Sequence, residues 1–425
     1  MSNDIKKEIF KKVEEYFATK SRASTEKIGV AYPCFDHLEV NQALDSLLDV
    51  WISQGPKVKA FESAYADYIG TRHGVGCNSG SSANLLALTA LIQAGHLSPG
   101  DEVIVPAATF TTVISPILQT GLVPVFVDVE LETYNIAPDA VAKAISDKTK
   151  LIMVVHSLGC PAKMTEIMAL SEKHGIPVLE DCCEAHGAAI NGKRVGSFGV
   201  ISTFSFFVAH NMTTGEGGMV MTSDETLHEI LRSIREFGRL TKYKKDQPRF
   251  YYEDENLTEY DERYVFTNVG YNLRMTDIAA SLGIEQLKKL DDFNNERVKI
   301  ANYYGETLRE FEEFLLLPQI PEGTFHSFYG YPIVIKAGAP FTRHQLVNHL
   351  ENNNIETRAF MGGDLSRQPA YVNTKWKKPF DMPNTDIMLD NAFFIGSHPF
   401  IDDGQRDHIV GVFRKFFITC GEEQI

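Results

Sequence analysis

An α/β fold, with a large, mostly parallel sheet and a smaller mixed α/β domain, is what this 425-residue sequence predicts. Three observations carry that expectation. From about residue 73, runs of strand length alternate with helical patterns, as they do where a parallel sheet is covered on both faces. HGVGCN, DEVIVP, VPVFVD, KLIMVV and IPVLED are those runs, and helices such as SSANLLALTALIQAG fall between them. After about residue 290 the pattern changes to a long helix, strand-like FYGYPIVI, the helix TRHQLVNHLENN and strand-like IETRAF. The expected division is 1–290 for the large domain and 291–425 for the small one.

Composition narrows the class. The chain is 44% hydrophobic and 23% charged, which is ordinary for a globular protein. A net charge of -15 argues against a general nucleic-acid binder, while a local basic pocket remains able to hold phosphates. Cys34, Cys77, Cys160, Cys182, Cys183 and Cys420 form no C-x-x-C pair, and they read as reduced thiols of a cytoplasmic protein. Ile5, Ile9, Val13 and Phe17 recur every four residues among lysines and glutamates. They predict an amphipathic helix over 4–19, packed on the small domain, and no signal peptide. No apolar run approaches the roughly 20 residues of a membrane span, so no membrane partner is expected.

Taken in order, the candidate site residues fall at strand ends, where such sheets bind ligands. WISQGPKVKAFE reads as a turn followed by a helix. Gly80, Ser81 and Ser82 open the helix after the first strand. Free N–H groups and hydroxyls there suit a phosphate, and a serine N-cap accounts for the same residues. Phe110 opens the next helix, as a site aromatic or a core one. Asp181 ends the strand IPVLED, with Glu180 pointing to the opposite face. Glu184 follows three residues on, and His186 is either a second site residue or a satisfied histidine. Ser205 and His210 lie in Ile201–Met221, ISTFSFFVAHNMTTGEGGMVM, read as strand, loop and strand. Residues 240–264 are charged and aromatic without a period and predict a long loop or lid. Arg358 and Arg367 are placed to bind substrate phosphates or a carboxylate, or to sit on the surface. No metal site is expected.

The stretch 201–221 resembles the lysine loop of the DegT/DnrJ/StrS family of sugar aminotransferases, which use pyridoxal phosphate. WISQGPKVKAFE and GYNLRMTDIAASLGIEQLKKL (270–290) match further patterns of that family, and the likeness runs from about Trp51 to about Phe413. It implies a fold type I aminotransferase-like architecture and a cofactor site. Gly80, Ser81, Ser82 and Ser205 would hold the phosphate, Phe110 would stack on the ring, Asp181 would pair with the ring nitrogen, and Glu184 would lie by the 3′ oxygen. Asn272 would reach the phosphate of a neighbouring subunit, which makes a homodimer with shared sites. Where the family has its Schiff-base lysine, this sequence has His210.

An imidazole cannot hold the aldehyde stably, but it moves protons, because its ordinary pKa is about 6.5. Histidine at this place resembles the branch of 3-dehydratases that act on nucleotide-linked 4-keto-6-deoxyhexoses, in dideoxysugar and lipopolysaccharide O-antigen biosynthesis. That branch implies noncovalent pyridoxamine 5′-phosphate, with His210 transferring the protons. One kind acts on CDP-linked sugars with an iron–sulfur cluster and a reductase, and the other on GDP-linked sugars without a cluster, taking its amino group from glutamate. Cys183 fits the first cluster position, but Thr241, Tyr243 and Tyr251 occupy the other three. The expectation is a lyase without a cluster or an obligatory reductase, with glutamate as amino donor. The alternatives are an aminotransferase whose lysine has been replaced, and a nucleotide-sugar binder without chemistry.

Overall fold

The strand-length runs of the first 222 residues become one sheet, seen in a computed structural model that describes residues 2–19, 27–241 and 261–422. Most of the segment expected to be a lid, residues 240–264, lies outside the described residues. Five strands come first: β1 (His73–Cys77), β2 (Glu102–Pro106), β3 (Val123–Val127), β4 (Thr149–Val155) and β5 (Val178–Asp181). A short hairpin, β6 (Ala189–Ile190) and β7 (Lys193–Arg194), precedes β8 (Ile201–Ser205) and β9 (Gly218–Thr222). Among the described residues the main sheet has the order β1-β9-β8-β5-β4-β2-β3. Only β9 runs against its neighbours, pairing antiparallel with both β1 and β8.

Among the described residues, eight α-helices belong to this part: α1 (Ser2–Thr19), α2 (His37–Leu48), α3 (Pro56–Ile69), α4 (Gly80–Gln93), α5 (Thr111–Gln119), α6 (Pro138–Ala144), α7 (Met164–His174) and α8 (Glu225–Arg235). They explain why β2 and β3 are buried along their whole length. Val103 and Val105 join a core with Leu86 and Leu91 of α4, Ile117 of α5 and Leu231 of α8. Ile104, between them, points the other way, to Val141 of α6 and Ile167 of α7. The period of two along a strand thus feeds two separate cores. The N-terminal helix, expected against the C-terminal part, lies on α2. There Lys6 donates to Asp49 at 3.0 Å and pairs with Asp45.

A single helix, α9 (Asp277–Thr307), links the two halves and runs through residue 290. Its Asp277 carboxylate accepts from the Lys57 and Val58 N–H groups at 3.2 and 2.9 Å. It thereby caps α3, whose own N-cap residue is Gly55 and has no side chain to offer. Further along, Ile300 and Tyr304 of α9 enter the core of a second sheet. That sheet has the order β10-β12-β14-β13, from β10 (Leu315–Leu316), β12 (Tyr331–Ile335), β13 (Thr357–Ala359) and β14 (Ala392–Ile395), all paired antiparallel. Between β10 and β12, β11 (Thr324–Phe325) pairs back to β6. The helices α10 (Arg343–Asn352), α11 (Pro383–Asn391) and α12 (Asp403–Glu422) complete the fold. No helix among the described residues is long and apolar enough to cross a membrane.

Candidate active site

Three strands of the main sheet end at one cavity of about 550 Å³. Val155 closes β4, Asp181 closes β5 and Ser205 closes β8, and each lines it. Opposite walls come from the start of α4, the start of α5, and β13 and β14 of the second sheet, which bring Arg358 and Phe394.

The start of α4 brings main-chain N–H groups and serine hydroxyls to the cavity. Ser79 caps the helix, its Oγ accepting from the Ser82 N–H at 3.1 Å and donating to the Ser82 Oγ at 3.0 Å. Ser82 is therefore occupied with the cap, while Ser79, Gly80 and Ser81 face the cavity beside Ser205. The N–H groups at a helix start favour negative charge. Glycine is required at position 80, because a Cβ there would lie 2.5 Å from the Ser205 Cβ and 3.1 Å from the Cys183 Sγ. Phe110, the N-cap residue of α5, is 53% exposed and presents its ring to the cavity.

Asp181 is 4% exposed and fixed at both oxygens. One accepts from the Asn84 side chain at 2.8 Å, the other from the Cys183 N–H at 3.0 Å. Asn84 itself accepts from the Thr203 hydroxyl at 2.7 Å, so a buried polar chain aims the carboxylate. Glu180 points to the other face, as the alternation requires. There it accepts from the Gly196, Phe198 and Gly199 N–H groups and contacts His156 Nε2 at 3.1 Å. His156, Glu180 and Cys182 lie within metal-ligand reach of one another, but these hydrogen bonds occupy the carboxylate.

Glu184 and His210 both line the cavity. A Glu184 oxygen accepts from the Leu158 N–H at 2.8 Å. Burial, with the nearby Asp181 charge, pushes its carboxyl up to about 7, against that hydrogen bond. Leu158 has a φ of 50°, in the left-handed region, and its carbonyl accepts from the Tyr329 N–H at 2.9 Å. One residue of strained backbone thus ties Glu184 to Tyr329, whose ring centroid lies 5.3 Å from that of His210. The His210 Nδ1 is buried without a partner among the described residues. Burial first, then the neighbouring His186 and Arg297, push this imidazole down to about 3, so it is neutral at pH 7.

The remaining sequence candidates divide clearly. Arg358 lines the cavity, bonded to Glu356. Arg367 does not, and pairs with Asp386 on the surface. His186 lies behind the cavity, between the Tyr65 hydroxyl (2.7 Å) and the Ser205 carbonyl (2.7 Å). The carbonyl can only accept, so Nε2 carries the proton and Tyr65 donates to Nδ1. This is a satisfied histidine that holds the Ser205 main chain. Asn272 is exposed ahead of α9, away from this chain's cavity, and accepts from Arg274 at 3.2 Å. Sequence reasoning missed Asn84, Leu158 and Tyr329. An asparagine inside the apolar run SSANLLALTA was the available signal for the first.

Residues 33–414 match the model of the DegT/DnrJ/EryC1/StrS aminotransferase family. The chain is 38% identical over 389 residues to the lipopolysaccharide biosynthesis protein RfbH of Salmonella typhimurium, covering 89% of each. It is 39% identical over 383 residues to a dTDP-4-dehydro-2,6-dideoxy-D-glucose 3-dehydratase of Saccharopolyspora spinosa, covering 88% of this chain and 83% of that one. A solved E coli GDP-4-keto-6-deoxy-D-mannose-3-dehydratase with bound hydrated PLP superposes with a TM-score of 0.83 at 32% identity, covering 91% of this chain and 98% of that one.

Proposed function

The chain belongs to the DegT/DnrJ/EryC1/StrS aminotransferase family, and from that membership we propose that it removes the C3 hydroxyl of a nucleotide-linked 4-keto-6-deoxyhexose. The cofactor is pyridoxal or pyridoxamine 5′-phosphate, and the cavity fits it. Ser79, Gly80, Ser81 and Ser205 form a cradle for its phosphate, Asp181 is fixed as a partner for its ring nitrogen, and Phe110 offers a face to the ring. Asn272 of a second copy completes the phosphate site in a homodimer. When bound, the cofactor supplies an amine that condenses with the C4 ketone and a ring that takes up electrons.

The observation that carries the reading is His210, an imidazole with an unpartnered Nδ1 where the family places its lysine. Being neutral, it is ready to take the proton that would be released at the cofactor's C4′ carbon. The dianionic phosphate raises its affinity for that proton once bound. The protonated ring is then a strong acid in an apolar wall, and it delivers the proton to the C3 oxygen, which leaves as water. Glu184, half protonated near pH 7, is the second proton carrier in the cavity. Arg358 binds the diphosphate. The reaction needs no iron–sulfur cluster and no reductase, because glutamate supplies the two electrons. Sugar plus glutamate gives the 3,6-dideoxy-4-keto sugar, 2-oxoglutarate and ammonia.

Mass spectrometry of products from a panel of nucleotide-linked 4-keto-6-deoxyhexoses, with cofactor and glutamate, tests this. The expected product has lost one oxygen, with one 2-oxoglutarate formed per sugar. A product in which the C4 ketone has become an amine, with C3 intact, would establish an aminotransferase instead.

A further inference from the structure

We propose that Arg297 is a positioning residue for His210: a buried, unpaired cation that holds the Phe328–Tyr329 main chain against the imidazole. Arg297 lies on α9 and is 2% exposed. Its Nη1 donates to the carbonyls of Phe328 at 3.2 Å and Tyr329 at 3.0 Å. Its Nε is buried without a partner, and no carboxylate among the described residues forms an ion pair with it. Burial lowers its pKa only to about 10, so it stays charged at neutral pH. A buried guanidinium without a counter-ion is costly, and two carbonyls need only a neutral donor. The cost points to a use for the charge.

That use lies at the end of the main chain Arg297 holds. Phe328 has a φ of 42°, and its carbonyl also accepts from the Ser397 hydroxyl at 2.8 Å. Pinned there, the Tyr329 ring packs on His210. The charged or titratable groups around His210 are His186, whose ring centroid is 6.1 Å away, Tyr329 and Arg297, with Glu184, Asp181, Cys183, Glu216 and Arg358 on the shared cavity wall. Burial, His186 and Arg297 all disfavour an imidazolium. When His210 takes a proton, the Arg297 charge pushes that proton onward to the leaving oxygen rather than letting the ring keep it.

The inference rests on the dehydratase reading for where the proton goes, but its test does not. Histidine-ring nitrogen NMR, with the His210 signal assigned by its loss in His210→Asn, reads the titration in cofactor-loaded and cofactor-free protein. In the parent, His210 must stay uncharged at pH 5 without cofactor, and an imidazolium signal there overturns the proposal with no variant needed. Arg297→Gln keeps a donor for the carbonyls and removes the charge, so His210 should bind its proton at least about threefold more tightly. Arg297→Lys keeps the charge and should stay near the parent. Equal titration in parent and Arg297→Gln, or an equal rise in Arg297→Lys, refutes the charge role. If the titration moves as expected but no deoxygenated product forms with any sugar, the reaction reading fails and the role of Arg297 stands.

Discussion

Replacing Glu184 by glutamine tests the raised acid through folding rather than through turnover. Burial and the Asp181 charge lift its carboxyl from 4.5 to about 7. Between those values the unfolded chain has released its proton and the folded chain keeps it. The contribution of Glu184 to stability is therefore fully present below 4.5 and is lost as pH rises through about 7. At about 1.36 kcal/mol per pKa unit, the loss between pH 5 and 8 is roughly 2 to 3 kcal/mol. Glutamine keeps an oxygen for the Leu158 N–H and has nothing to titrate. Urea unfolding of cofactor-free parent and Glu184→Gln at pH 5 and pH 8 reads the difference. Near pH 5 a neutral carboxyl and an amide are close equivalents. At pH 8 the parent buries a charge that the variant lacks, so the balance should move toward the variant by that amount. Profiles that stay parallel within about 0.5 kcal/mol would refute both the raised pKa and the use of Glu184 as an acid at neutral pH.

Five further outcomes are expected. His210→Asn should retain the cofactor, whose contacts lie elsewhere, and lose about 10²–10⁴-fold in turnover, and parent-like rates would move the base to Glu184 or a water. His210→Lys should attach pyridoxal phosphate covalently, seen as a shifted absorbance band fixed by borohydride, and should lose dehydration. Gly80→Ala should weaken cofactor binding at least about tenfold in an absorbance titration, since its Cβ meets Ser205 inside the cradle. Mixing inactive His210→Ala and Asn272→Ala subunits should restore activity in confirmed heterodimers, and protein purified anaerobically should carry no stoichiometric iron or acid-labile sulfide.

The sheet was legible because strands such as β2 and β3 must be apolar along their whole length. Asp181 and Ser205 were legible as cavity-lining residues because the strands of such a sheet end at its crevice. Three features were not. Leu158 gives no sign of its left-handed backbone, which other contacts enforce and which a leucine would not choose. Tyr329 reaches the cavity through bonds to residues 32 and 171 positions away, so no local pattern marks it. The seat of α1 depends on Lys6 meeting Asp45 and Asp49, and the period of its apolar face cannot tell which surface it will cover. His186 shows the reverse case, since a histidine beside the site motif is fully spent on Tyr65 and Ser205.

The reversal of β9 sets a rule about length. Ser205 and Gly218 are register partners, so residues 206–217 leave the sheet and return to it at neighbouring positions of adjacent strands. Both ends of that excursion are fixed by the ladder, and Gly218 passes so close to the Ser79 carbonyl that a Cβ there would lie 2.2 Å from it. One residue added between Ser205 and His210 would shift the imidazole along the loop, and a slip of β9 by one would turn its side chains to the wrong face. The side chain at position 210 can be exchanged while its address cannot move. On the function proposed above, such a loop would let one scaffold exchange an amine for an imidazole by substitution alone.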